Sequence, residues 1–144
     1  MRTSIARSKK ARFTYGPKNS PRVIILQKLY AFHITKDSEI SFSKHRYKKF
    51  IKDVVNGTIE KKELIDETIK KHLDKDMNIK RTEKLLIVLL QAAIFEFLYR
   101  PKTSINIIIN EYLNTAKLFV NSSQTKFLNA LLDKISKKIR DYNE

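Results

Sequence analysis

The side chains best suited to hold a ligand are the basic residues near the N-terminus. No acidic residue precedes Asp37, so nine of the net +15 charges lie in the first quarter of the chain. A general bias toward lysine would spread its charge evenly, whereas a concentrated basic segment favours binding to a phosphate backbone or an anionic surface. We therefore expect a nucleic-acid partner. The nine residues are Arg2, Arg7, Lys9, Lys10, Arg12, Lys18, Arg22, Lys28 and Lys36.

Residue types that carry out catalysis or bind metals are sparse in this sequence. The chain has no cysteine, its two glycines form no phosphate-binding loop, and His33, His45 and His72 fall on different predicted helices. No serine lies in a nucleophile elbow. We predict no catalytic residue, no metal site and no cofactor.

Two carboxylates stand out because they lie in apolar surroundings. Glu96 is inside a long apolar run, and Glu111 follows a stretch of isoleucines. A buried carboxylate needs a partner, and we expect Asn110 and Asn129 as neighbours. Without a nucleophile or metal nearby, we interpret this pair as structural and not catalytic.

The chain length of 144 residues corresponds to one domain. Residues 1–21 contain Gly16-Pro17 and Ser20-Pro21 and show no periodicity, which predicts a flexible basic arm followed by a folded domain over residues 22–144. The absence of cysteine is consistent with a reducing compartment, and no apolar signal segment follows the basic N-terminus. We therefore expect a cytoplasmic protein.

Apolar periodicity predicts six helices and no strand. The central one is Leu85–Tyr99, apolar on nearly every face and too short to span a membrane, so the other helices must cover it. We expect an all-α bundle with antiparallel neighbours. Predicted ends include Gly57 as a left-handed stop with Thr58 capping the third helix, Thr103 or Ser104 as the cap of the fifth, and a capping box over residues 121–124. The first two helices are predicted over residues 21–34 and 43–56.

Several motifs are similar to those of one known family. They are Gln27-Lys-Leu-Tyr30, Ile94-Phe-Glu-Phe-Leu98, Ile109-Asn-Glu-Tyr112 followed by Ala116 and Phe119, and Phe127-Leu-Asn-Ala-Leu-Leu-Asp133. In this order and spacing they resemble the bacterial NusB transcription antitermination factors, over about residues 22 to 140. Two departures are Ala130, where the family has glycine, and the stretch 17–21, which replaces a cluster of arginines.

The resemblance implies an all-helical fold of six to seven helices in two three-helix subdomains. It also implies an adaptor, not an enzyme, that binds the single-stranded boxA segment of ribosomal RNA leader transcripts. Its protein partner would be the ribosomal small-subunit protein NusE, within an RNA polymerase complex that suppresses termination. No membrane partner is implied.

The resemblance also implies two sets of site residues. Basic residues before and at the start of the first helix, together with the start of the last helix, would bind RNA: Lys9, Lys10, Arg12, Arg22, Ser123, Lys126 and Phe127. Phe127 is either a base-stacking residue or a core residue. The surface for NusE would include Tyr30, Arg81, Glu83 and Leu86.

Two alternatives remain open from the sequence. NusB-like domains also precede ribosomal RNA cytosine methyltransferases, so the chain would then be a truncated part of such an enzyme. The other alternative is a self-associating helical module that forms a homodimer through its RNA-binding face.

Overall fold

The computed structural model of the protein describes residues 19–36, 39–73 and 83–140, and the helices in these ranges match the predicted all-α class. No strand occurs within the described ranges, and no helix there is both long and apolar enough to cross a membrane. The six helices are α1 (Pro21–Thr35), α2 (Lys48–Glu60), α3 (Lys62–His72), α4 (Lys84–Tyr99), α5 (Ile105–Ala116) and α6 (Ser122–Arg140).

Helix α4 is the centre of the bundle, as its apolar sequence predicts. Every residue from Leu86 to Phe97 is buried, including the two polar ones, Gln91 and Glu96. Each of the other five helices packs against α4. The two groups α1–α3 and α4–α6 consequently share one continuous hydrophobic core.

Helices α1 and α2 run in the same direction, which corrects the expectation of antiparallel neighbours. His45 Nε2 lies 2.8 Å from the Asn19 carbonyl oxygen, so the chain entering α2 has returned to the start of α1. Residues 36–47 can span about 40 Å, and α1 is only about 22 Å long. The connection is therefore long enough to bring both helix N-termini to one end of the molecule.

The predicted boundaries of the second helix were wrong at both ends. Its N-terminus is at Lys48 and not near Ser43, because the Tyr47 N–H donates to His45 Nδ1 in a turn before the helix. At the other end Gly57 is not a left-handed stop, since no described glycine has a positive φ. Helix α2 continues to Glu60, and Thr58 is buried inside it.

Gly57 is required by packing and not by backbone conformation. A Cβ at this position would lie 2.3 Å from Phe95 Cε1 and Cζ. The ring of Phe95 is buried in α4 and packs against Tyr99, with 5.0 Å between the ring centroids. The glycine therefore lets α2 approach α4 closely.

The ends of α4, α5 and α6 are held by side chains. Ser104 accepts a hydrogen bond from the Ile107 N–H at 3.2 Å, which confirms it as the cap of α5. Helix α5 ends at Ala116, so Phe119 lies beyond the buried face of this helix and is 40% exposed. At the end of α6, Arg140 is buried and donates to the carbonyls of Glu96, Phe97, Arg100 and Thr103. One guanidinium thus binds four carbonyls at the end of α4 and in the turn after it, and so attaches this end to α6.

The close approach at Gly57 predicts the effect of Gly57→Ala. Alanine in a helix normally stabilises by about 0.5–1 kcal/mol relative to glycine, but forcing a buried ring aside costs about 1–3 kcal/mol. We expect Gly57→Ala to lower the free energy of unfolding, measured by urea denaturation, and to cost less in a Phe95→Leu background. Asn56→Ala, one residue earlier and exposed, is the matched control. A more stable Gly57→Ala protein would contradict the packing role.

Candidate nucleic-acid interface

The start of α6 is fixed by two reciprocal hydrogen bonds. The Gln124 N–H donates to Asn121 Oδ1 at 2.8 Å, and the Asn121 N–H donates to Gln124 Oε1 at 3.0 Å. This pair confirms the predicted capping box, which satisfies two of the free amides at a helix N-terminus. The first turn of α6 is therefore held in one position relative to the connection before it.

Three residues predicted to bind RNA lie on one face of this turn. Ser123, Lys126 and Phe127 follow the helical spacing of three and four residues that places side chains together. Ser123 and Lys126 are exposed, and no acidic residue occurs in the first turn of α6. The positive end of the helix dipole adds to the Lys126 charge, so this face attracts anions.

Phe127 lies partly in the core and partly at the surface. Its side chain is partly buried and packs against the hydrophobic core, so one part of the ring is structural. On the helix surface its neighbour is Ser123, four residues earlier, and Lys126 precedes it directly in sequence. A ring held in this way presents a rigid apolar surface beside a positive charge.

Arg22 lies at the start of α1, and its guanidinium is engaged inside the protein. Its Nη2 and Nε donate to the two carboxylate oxygens of Glu96 at 2.7 Å and 3.1 Å. Its Nη1 lies 3.4 Å from Glu111 Oε1, and the Arg22 side chain is only 12% exposed. This corrects the prediction that Arg22 contacts RNA, because both faces of its hydrogen-bonding fork are already occupied by carboxylates.

Glu96 is fully buried, and its partners differ from the predicted Asn110 and Asn129. Besides Arg22, it accepts a hydrogen bond from the Tyr112 hydroxyl at 2.5 Å. Burial of Tyr112, together with the neighbouring Glu96 charge, raises the pKa of the phenol well above its usual value. The pKa of Arg22 is also raised: burial alone would lower it, but Tyr112, Glu96 and Glu111 outweigh that effect. The network is therefore an ionised arginine–glutamate pair with a neutral tyrosine.

The sequence did not predict that two guanidinium groups pack against the Phe50 ring beside this network. The Phe50 ring lies 5.0 Å from the Arg22 guanidinium and 4.8 Å from that of Arg100. Arginine packed on an aromatic face is attracted to the ring and remains planar for hydrogen bonding. Phe50 thus helps to orient Arg22 toward Glu96.

The remaining predicted RNA-binding residues, Lys9, Lys10 and Arg12, lie outside the described residues. Within the described ranges, no hydrogen bond or ion pair joins Arg22 to Ser123, Lys126 or Phe127. In the described part of the chain, Ser123, Lys126 and Phe127 therefore form one unit at the α6 turn, and Arg22 lies apart from them in the core.

The predicted partner surface is only partly accessible. Tyr30 is half-buried on α1, and Glu83 is exposed directly before α4. Leu86 is 2% exposed, which corrects its prediction as a partner contact: it belongs to the face of α4 that packs into the core. Arg81 lies outside the described residues.

Nearby, burial and the charges of Lys84, Lys36 and Lys62 lower the pKa of His33.

Comparisons with known proteins agree on one family. A sequence model of the NusB family matches residues 19–137. The transcription antitermination protein NusB of Caulobacter vibrioides is 28% identical over 142 residues, covering 87% of this chain and 95% of that protein. The NusB protein of Lysinibacillus sphaericus is 35% identical over 89 residues, covering 62% of this chain and 69% of that protein.

Two solved structures share the fold. T. maritima NusB has a TM-score of 0.74 at 21% identity, covering 87% of this chain and 94% of that chain. A chain from the crystal structure of the antitermination factors NusB and NusE in complex with double-stranded RNA has a TM-score of 0.73 at 18% identity. That match covers 85% of this chain and 97% of the other.

The Arg22–Glu96 pair predicts a large effect of Arg22→Met on stability. Removing one partner leaves a buried carboxylate without its counter-charge, which costs about 3–5 kcal/mol. Urea denaturation should show this loss, and the double variant Arg22→Met with Glu96→Gln should recover part of it. Lys49→Met breaks the exposed pair with Asp53 and should change stability by less than about 1 kcal/mol. An Arg22→Met effect no larger than that of Lys49→Met would contradict the buried pair.

Proposed function

The chain belongs to the NusB family, and from that premise we propose that it is a transcription antitermination adaptor that acts in the cytoplasm. It binds the boxA-type single-stranded RNA of ribosomal RNA leader transcripts together with the ribosomal protein NusE. With them it joins the RNA polymerase complex that suppresses termination. The observation that carries this proposal is the family match over residues 19–137, supported by the fold shared with a NusB–NusE–RNA structure.

The RNA surface of the proposal begins at the first turn of α6. Lys126 holds a backbone phosphate, the Ser123 hydroxyl accepts or donates a hydrogen bond to RNA, and the exposed part of Phe127 stacks on an unpaired base. The capping box fixes the backbone of this turn before RNA arrives, so little backbone entropy is lost on binding. Bases are accessible for stacking in single-stranded RNA and not in an A-form duplex, which favours a single-stranded ligand.

The basic N-terminal segment forms the second part of the RNA surface. Lys9, Lys10 and Arg12 supply positive charge that contributes affinity independent of base sequence. Arg22 has a different role in the proposal. It anchors the start of α1 to α4 and α5, and so fixes the point where this segment joins the domain.

NusE is the protein partner in the proposal, and its binding raises the affinity of this protein for RNA. Of the residues predicted to contact NusE, Glu83 is exposed and Tyr30 is half-buried. Arg81 lies two positions before Glu83 in the sequence. A partner that binds protein and RNA together strengthens RNA binding by a coupling free energy of about 1–3 kcal/mol.

The first prediction concerns this coupling. We expect weak binding of boxA RNA by the protein alone, and binding about 5–150-fold tighter with NusE present. Fluorescence anisotropy with boxA, scrambled and double-stranded RNAs of equal length measures it. Equal affinity for boxA and scrambled RNA, with and without NusE, would exclude the specific function. Light scattering of the same samples tests the alternative of a homodimer that RNA dissociates.

A second prediction concerns the basic segment. Changing Lys9, Lys10 and Arg12 to alanine should weaken RNA binding and flatten the plot of log K against log salt by about 2, since each phosphate in single-stranded RNA contributes about 0.7. The melting temperature should barely change. Lys70, Lys71 and Lys138, exposed on α3 and α6, form the control triple with the same loss of charge. An unaltered salt slope would show that the segment does not contact RNA.

A further inference from the structure

A cleft of about 260 Å³ lies between α1 and the connection that leads into α2. We call it the α1–α2 cleft. It forms because α1 and α2 are parallel and their N-termini lie at the same end of the molecule. The positive ends of two helix dipoles therefore meet near one opening. Its polar and aromatic lining includes Asn19, Lys28, Phe42, Lys44, His45 and Lys48.

The lining of the cleft is positively charged. Lys28, Lys44 and Lys48 contribute three ammonium groups, and none of the described lining residues is acidic. Within the described ranges, no ion pair joins these three lysines to a carboxylate, whereas Lys49, one position further along α2, is paired with Asp53. The three charges thus remain available for an anionic ligand.

His45 holds the two walls of the cleft together. Its Nε2 is 2.8 Å from the Asn19 carbonyl oxygen, so Nε2 carries the hydrogen and donates it. Its Nδ1 then accepts the Tyr47 N–H at 2.9 Å. A neutral imidazole in one tautomer meets both requirements. The connection is therefore fixed against the start of α1 at the rim of the cleft.

Phe42 positions one of the three cleft ammonium groups, that of Lys28, together with the neighbouring Lys52. Lys28 Nζ lies 5.9 Å from the centre of its ring, and Lys52 Nζ lies 6.0 Å from it. Attraction of an ammonium to an aromatic ring, worth about 0.5–1 kcal/mol at such exposed sites, limits the freedom of these flexible side chains. A ligand then loses less side-chain entropy on binding.

The size of the cleft restricts the ligand. Pockets that bury a whole small molecule have volumes of about 300–1,000 Å³, so a space of about 260 Å³ suits one unit of a longer chain. Lysine ammonium groups bind phosphate as point charges. Asn19 is the first described residue after the basic segment of residues 1–18, so the cleft lies next to the point where that segment joins the domain.

From these observations we infer that the α1–α2 cleft is an additional RNA-binding site, which holds a backbone phosphate through Lys28, Lys44 and Lys48. This inference rests on the proposed RNA-binding function. It extends the RNA path to a surface where only Lys28, of the three lysines, belongs to a family motif. The cleft adds affinity and register, while its lysines do not distinguish one base from another.

The test compares two triple variants of the full chain with NusE present. In the cleft variant, Lys28, Lys44 and Lys48 are changed to glutamine, which removes the charge and keeps an uncharged polar side chain only one atom shorter. In the control variant, Lys70, Lys71 and Lys138 are changed in the same way. We expect the cleft variant to bind boxA RNA with flanking nucleotides about tenfold more weakly, and its salt slope to fall by about 0.7 for one lost phosphate contact. The control should change affinity by less than about twofold.

A second measurement locates the RNA. Photo-crosslinking with 4-thiouridine at successive positions should join one flanking nucleotide to a peptide containing Phe42 to Lys48. Equal affinities of the two variants, or no crosslink to that peptide, would overturn the inference while leaving the proposed function intact. Failure of the unchanged protein to bind boxA RNA would overturn both. Saturation of the cleft by inorganic phosphate, seen by NMR, with RNA affinity unaffected by the cleft substitutions, would assign it to a free anion and overturn the RNA site.

Discussion

The buried carboxylate of Glu96 is the constraint on which the arrangement of α1, α4 and α5 depends. A charge at 0% exposure is stable only if a counter-charge and hydrogen-bond donors surround it. Arg22 from α1 and Tyr112 from α5 supply them, so three helices must meet at one point. Apolar packing alone tolerates small shifts of one helix along another, whereas a bidentate pair fixes the register. At the same end of α4, Arg140 of α6 donates a hydrogen bond to the backbone carbonyl of Glu96.

These buried contacts determine which charged side chains remain accessible to ligands. Arg22 and Arg140 are buried and use their donors within the protein. Among the described residues, the cations available to a partner include the exposed Arg46 and the lysines at the first turn of α6 and around the α1–α2 cleft. Arginine suits the inside because its planar fork matches a carboxylate or a set of carbonyls, and lysine suits the outside because it remains strongly hydrated.

Local features of the fold were predictable from sequence, and long-range ones were not. The apolar run of α4, the Ser104 cap and the Asn121–Gln124 box depend on residues within a few positions of one another, and the motifs that indicated the NusB family were confirmed by the comparisons. Gly57 was misinterpreted because the residue that needs its missing side chain, Phe95, is distant in sequence. Arg22 was misassigned for a related reason, since a basic residue at a helix start gives no indication of a buried glutamate 74 positions away.

Charged side chains and aromatic side chains contribute differently to the recognition of RNA. Lysine contacts to phosphates are the same for every sequence, so under the proposal the basic segment and the cleft set affinity and its dependence on salt. Discrimination between RNAs requires contacts with base edges or faces, and the described residue on the proposed surface that offers a rigid face is Phe127. A single stacking platform is tolerant of base identity. In the proposed function, selectivity for one RNA segment therefore has to arise with the partner protein, which would add contacts and fix the register of the strand at Phe127 and Lys126.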